Sequence, residues 1–203
     1  ITTYRGENLM ARYKSIAIVA AVLAFGYAIG HFTSIAMLSG EANVLLFLRN
    51  TVGLVMGSGI LWASMSVWAG RLAGPRLWRS ILAGTVIIFA MLAIHYAFGF
   101  LIGVFDDQVF RSNALWMYGS FIAGPILGLV GGLSHKVPWL LLIVPLGLVA
   151  EPFVINSIPG MDFLPWPTIW AGWVSGALLI ALGIALAICL WKVVIQPQAS
   201  RAK

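Results

Sequence analysis

The sequence predicts an all-α membrane protein, a bundle of six transmembrane helices with both termini cytoplasmic. Three observations carry that prediction. Of the 203 residues, 61% are hydrophobic and only 9% charged, where soluble domains carry roughly 25% charge; mean hydropathy is +0.99. The apolar residues fall in six runs of about 19 to 27 residues, and about 20 suffice to cross the hydrocarbon core. The runs are continuously apolar and do not alternate, which excludes a β-barrel.

The elements follow in order. Residues 1–15 are polar and basic and read as a cytoplasmic juxtamembrane segment. No signal peptide is expected, because the apolar run after the basic Met10–Ser15 stretch is too long for a signal-peptide core. The transmembrane domain takes residues 16–195, and 196–203 form a basic cytoplasmic tail. The first span, Ile16 to Leu38, holds Gly26, Gly30 and His31. The second lies within Val44 to Ala69, with Arg49 and Asn50 near its start and Gly53, Gly57 and Gly59 further in. An arginine-rich loop, Gly70 to Ser80, leads to the third span, Ile81 to Phe105, with His95-Tyr96. A polar connection, Asp106 to Asn113, precedes the fourth span, Leu115 to Leu133. The fifth, Pro138 to Asn156, carries Glu151 with Pro152 directly behind it. Ser157 to Pro167 is too proline-rich for a helix, and the sixth span runs from Ile169 to about Ile195.

Six crossings put both termini on one side. That side holds Arg5, Arg12, Lys14, Arg71, Arg76, Arg79, Lys136, Lys192, Arg201 and Lys203, ten of the twelve basic residues. Arg49 and Arg111 lie on the other side with Glu41, Asp106, Asp107 and Asp162. Basic loops stay cytoplasmic, so this is the inner side. The same asymmetry explains the net charge of +6 without a nucleic-acid partner. The single cysteine, Cys189, lies in the last apolar run and cannot form an internal disulfide.

Four ionisable residues fall in the outer half of the membrane: Arg49, Glu151, His31 and His95. At 1.5 Å per residue, Glu151 and Arg49 lie about 8 Å below the outer ends of their helices, His31 about 10 Å and His95 about 15 Å. An intramembrane acid costs about 2.5–3.5 kcal/mol at a helix centre, and less near the interface. Such groups usually pair, so Arg49 and Glu151 are expected to face each other. The four then read either as an outward-facing ligand cavity or as an ion pair fixing helix register, with two satisfied histidines. Paired histidines on different helices also suit a haem, but their depths differ by about 5 Å. Neither carries the Cys or closely spaced His of a zinc site. No cofactor or metal is expected.

Gly124, Gly128 and Gly132 share a helix face, as do Gly172 and Gly176. Such faces allow close helix packing, within the chain or against a partner subunit. Pro125, Pro145 and Pro152 are each expected to bend a helix. Trp68, Trp78, Trp116, Trp139, Trp166, Trp170 and Trp191 lie near span ends, where aromatic belts sit. Phe163, Trp166 and Asp162 are a candidate lid over an outer cavity. No nucleotide-binding loop, nucleophile elbow or metalloprotease helix is present, so an enzyme is not expected.

The order Arg49-Asn50, Gly57-Ser58-Gly59 with Trp62, Ala69-Gly70 before the arginine loop, Gly124-Pro125-Ile126-Leu127-Gly128 and Ala150-Glu151-Pro152 resembles an uncharacterised family of small multi-pass bacterial membrane proteins. That family is largely actinobacterial and carries a domain of unknown function. The pattern covers Arg49 to Val154. The family lends no catalytic residues, and His95-Tyr96 departs from its pattern of two aromatics, so His95 is not carried into a shared site. The gross layout is also similar to the substrate-binding subunits of energy-coupling-factor vitamin transporters, which have six helices, an outward pocket and small-residue faces that dock a coupling partner.

The function expected from these readings is binding of a small molecule in an outward-facing cavity of the bacterial cytoplasmic membrane. It would serve transport or efflux with a partner module, through Arg49, Glu151, His31 and His95. The alternative is a non-catalytic accessory subunit that stabilises a larger membrane complex.

Overall fold

The six apolar runs become helices in the computed structural model, which describes residues 2–155 and 167–197. Among the described residues there is no strand. Helix α1 is Thr2–Ile29, α2 Ile35–Leu38, α3 Asn43–Met56, α4 Gly59–Leu72 and α5 Leu77–Leu101. Helix α6 is Val109–Ser112, α7 Ala114–Leu133, α8 Ile143–Val154 and α9 Thr168–Leu190. A 3-10 turn, Pro138–Leu142, leads into α8, and a π-helical turn, Trp191–Ile195, continues α9.

Five segments are long and apolar enough to span a membrane: Ala11–Ile29, Asn43–Leu72, Leu77–Leu101, Ala114–Leu133 and Thr168–Val194. Pro138–Val154 is apolar but shorter. Large apolar side chains stand exposed along these helices, among them Leu115, Ile122, Leu146 and Leu178. In water such a surface would be unfavourable, whereas against lipid tails it costs nothing. The chain is a multi-pass membrane protein.

Three expectations of the sequence are corrected. The first span ends as a helix at Ile29, not near Leu38, and Gly30 to Ser34 are not helical. The second span is two helices, α3 and α4, separated by Gly57 and Ser58. In the fifth span Pro145 lies in the first turn of α8. There its missing N–H forfeits no bond, so it does not bend a continuous helix. Helix α1 also begins at Thr2, so the basic residues before Ile16 belong to the same helix as the first span.

The core has two parts. Ala20, Leu23, Ala24, Trp62, Met65 and Met91 join α1, α4 and α5, and Val67, Leu141, Val144, Leu148, Leu179 and Leu190 join α4 to α8 and α9. The closest helix packing is α4, α5 and α7. A Cβ on Gly84 of α5 would stand 2.5 Å from the Gly128 Cα of α7, and one on Gly124 2.6 Å from the Thr85 Cα. Only hydrogen fits there. The face of Gly124, Gly128 and Gly132 is therefore filled by α5 within this chain, and Gly132 lies against Ser80. On α9, Gly176 is buried and Gly172 half-buried, and α9 packs against α3 and α8. Near the arginine loop, Arg71 Nη1 donates to Ser134 O (2.9 Å) and Ser134 Oγ (2.6 Å), and His135 Nε2 donates to Arg71 O (2.7 Å). This ties the ends of α4 and α7.

Of the interfacial tryptophans, Trp78, Trp116, Trp139, Trp170 and Trp191 are exposed. Trp68 instead packs against both core clusters. The candidate lid at Asp162, Phe163 and Trp166 lies outside the described residues.

Candidate functional site

The site grows out of the interruption of the second span. Gly57 and Ser58 end α3, with Gly57 N–H donating to Gly53 O (2.8 Å) and Ser58 N–H to Val55 O (3.2 Å). Ser58 then caps α4, its Oγ accepting from Leu61 N–H at 3.2 Å, as serine does at helix starts. In a bilayer no water satisfies the remaining amides of such a start. Glu151, reaching across from α8, satisfies one of them. Its Oε1 accepts from Gly59 N–H at 2.6 Å, and its Oε2 accepts from the Ser58 hydroxyl. Trp62, one turn into α4, turns its indole N–H back onto Met56 O, the last carbonyl of α3, at 2.7 Å.

Arg49 is held at a different helix end. Its Nε donates to Phe32 O (2.9 Å), Nη2 to His31 O (3.1 Å) and Thr33 Oγ1 (2.6 Å), and Nη1 to Asn50 Oδ1 (2.7 Å). The two carbonyls among these lie just past the end of α1. The α1–α3 crossing brings them within reach, since a Cβ on Gly30 would lie 2.7 Å from the Gly53 Cα.

The expected pairing of Arg49 with Glu151 is therefore not made. A helix carries partial positive charge at its N-terminus and negative charge at its C-terminus. Glu151 meets the first and Arg49 the second, so each charge is neutralised by a helix end and not by the other.

The two histidines do come together. His31 and His95 lie with ring centroids 5.7 Å apart. Tyr27 stacks on His95 (4.6 Å, 14°), and Trp62 (5.8 Å) and Phe105 (5.2 Å) meet its edges. Phe105 also packs on His31 at 5.3 Å, and Tyr96 lies 5.0 Å from His95. Phe105 reaches the cluster because the chain turns back after α5 and lays its ring over Gly99.

Both histidines are anchored through Nδ1: His31 to Tyr27 O at 2.9 Å and His95 to Ala24 O at 3.3 Å. A carbonyl can only accept, so Nδ1 carries a proton, and in the neutral form of such a ring the lone pair lies on Nε2. His95 is 3% exposed, yet among the described residues every buried side-chain nitrogen or oxygen has a partner. His95 bonds Ala24 O through Nδ1, which leaves Nε2 as the ring's acceptor. Two imidazole acceptors within an aromatic enclosure can accept hydrogen bonds from a ligand's N–H or O–H groups and stack on its rings. Among the described residues no group of three His, Cys, Asp or Glu side chains converges as a metal site would require.

Reasoning from sequence missed Ser58, Gly59, Tyr27, Trp62 and Phe105. The signal for the first two was present, because Gly-Ser-Gly inside an apolar run is a helix stop followed by a helix start. Comparison with protein-family models, curated proteins and solved structures finds no match.

Proposed function

We propose that this protein binds a small molecule at the His31–His95 cluster and moves it across the bacterial cytoplasmic membrane, together with an ATP-driven partner module. One observation carries the reading. Trp62 bonds the last carbonyl of α3 at the break and also packs on His95, so the interrupted span and the acceptor cluster are one unit. Interrupted spans beside polar groups are how many transporters build a substrate site. In this reading His31 and His95 accept from the ligand, Tyr27, Trp62, Tyr96 and Phe105 line it, and Arg49 and Glu151 hold the frame. The ends of α1 and α3 form the outer mouth, and the resemblance to the actinobacterial family belongs to the same proposal.

The test is mass spectrometry of small molecules co-purified in mild detergent with the wild type and with His95→Ala. A species carried by the wild type and lost from the variant, at unchanged thermal stability, supports the reading. Identical extracts from both proteins overturn it. A stoichiometric membrane partner with no small molecule would instead mark an accessory subunit.

A further inference from the structure

A second feature lies apart from the histidine cluster. Helices α8 and α9 leave an open groove of about 520 Å³ between them, lined by Pro145, Leu146, Gly183, Ile184, Ala187 and Trp191 among others. Its rim faces the bilayer, since Leu146 and Ile184 are more than half exposed. Its floor is closed, because a Cβ on Gly183 would stand 2.8 Å from Pro145 O. The lining is almost wholly apolar, which suits a hydrocarbon chain.

The groove ends at a polar boundary. Trp191 lines it and meets Trp139 edge to face at 5.4 Å, a tryptophan pair of the kind found at headgroup level. Lys192 follows Trp191, and Lys136 precedes by two residues the turn that bears Trp139; both are exposed. Helix α9 also widens there into its π-helical turn, a local distortion frequent at functional sites.

We propose that this groove is a binding site for one anionic phospholipid, an acyl chain lying along Pro145 and Ala187 and the phosphate between Lys136 and Lys192. An apolar slot alone would accept any lipid. The two lysines at its end select a negative headgroup. The inference is independent of what the histidine cluster binds.

Native mass spectrometry of the delipidated protein tests it, with phosphatidylglycerol and phosphatidylcholine of identical chains as probes. The wild type is expected to retain one phosphatidylglycerol several-fold more than phosphatidylcholine. Ala187→Trp fills the slot and should abolish that adduct. Ala187→Leu is the milder version should the first variant unfold. Lys136→Glu with Lys192→Glu should keep a lipid adduct but remove the preference. Glycerophosphoglycerol, which lacks acyl chains, should not compete. Equal retention of the two lipids by the wild type, an undiminished adduct in folded Ala187→Trp or Ala187→Leu, or competition by the chain-free headgroup would each overturn the proposal.

Discussion

Glu151 and Ser58, 93 residues apart in sequence, are joined by a hydrogen bond from the serine hydroxyl to the carboxylate. The same carboxylate holds the adjacent Gly59 amide. An acid inside an apolar helix here completes the start of another helix.

Removing it should therefore unfold the protein more readily. Glu151→Ala removes the acceptor of the Gly59 amide and of the buried Ser58 hydroxyl, the latter worth about 1–3 kcal/mol as a buried unsatisfied group. Glu151→Gln keeps an acceptor for Gly59 and should cost less. Thermal unfolding in detergent ranks the two, and an unchanged midpoint for Glu151→Ala would contradict the assignment.

Arg49 gives a second test. Its planar fork reaches four acceptors from three nitrogens, a geometry lysine cannot reproduce. Arg49→Lys should lose about 1.5–3 kcal/mol, the value of a hydrogen bond to a charged group, measured by denaturant titration.

Because the two charges serve different helix ends, their effects should add. A double-mutant cycle with Arg49→Ala and Glu151→Ala is expected to show a coupling below about 0.5 kcal/mol. A coupling of several times that would mean that they pair after all.

The glycines divide by what surrounds them. Gly84→Ala drives a methyl into the Gly128 backbone and should cost about 1–3 kcal/mol as overpacking. A Cβ on Gly119 would meet nothing within 4 Å, so Gly119→Ala should stay within about 0.5 kcal/mol of wild type. Comparing the two unfolding midpoints separates seam from surface.

Orientation is testable in cells. In a Cys189→Ser background, Asp107→Cys should react with an impermeant maleimide on intact spheroplasts. Pro75→Cys, in the arginine-rich loop, should react only after lysis. The reverse pattern would invert the topology.

Five of the expected spans were legible because hydrophobic length is the main sign that a segment can cross a bilayer, whereas the run from Pro138 forms a shorter apolar helix. The break in the second span was signalled by Gly57-Ser58-Gly59 but masked by the apolar residues that continue on both sides of it. Missing it misdirected the charges. Depths counted along unbroken helices put Arg49 level with Glu151, while the free helix ends that satisfy them were invisible. His31 and His95 were found by type. Their contact was not, because it depends on α1 ending at Ile29 and on Phe105 folding back over Gly99.

The break at Gly57 and Ser58 also divides allegiance. Helix α3 packs chiefly on α9, and α4 chiefly on α7 and α5, so the two halves of one span lean mainly on different neighbours. Glu151 sits on α8, a neighbour of α9, yet its carboxylate grips the first turn of α4. The carboxylate is thus a strap across a covalent joint. A tilt of α4 away from α8 would have to carry Glu151 along or release it.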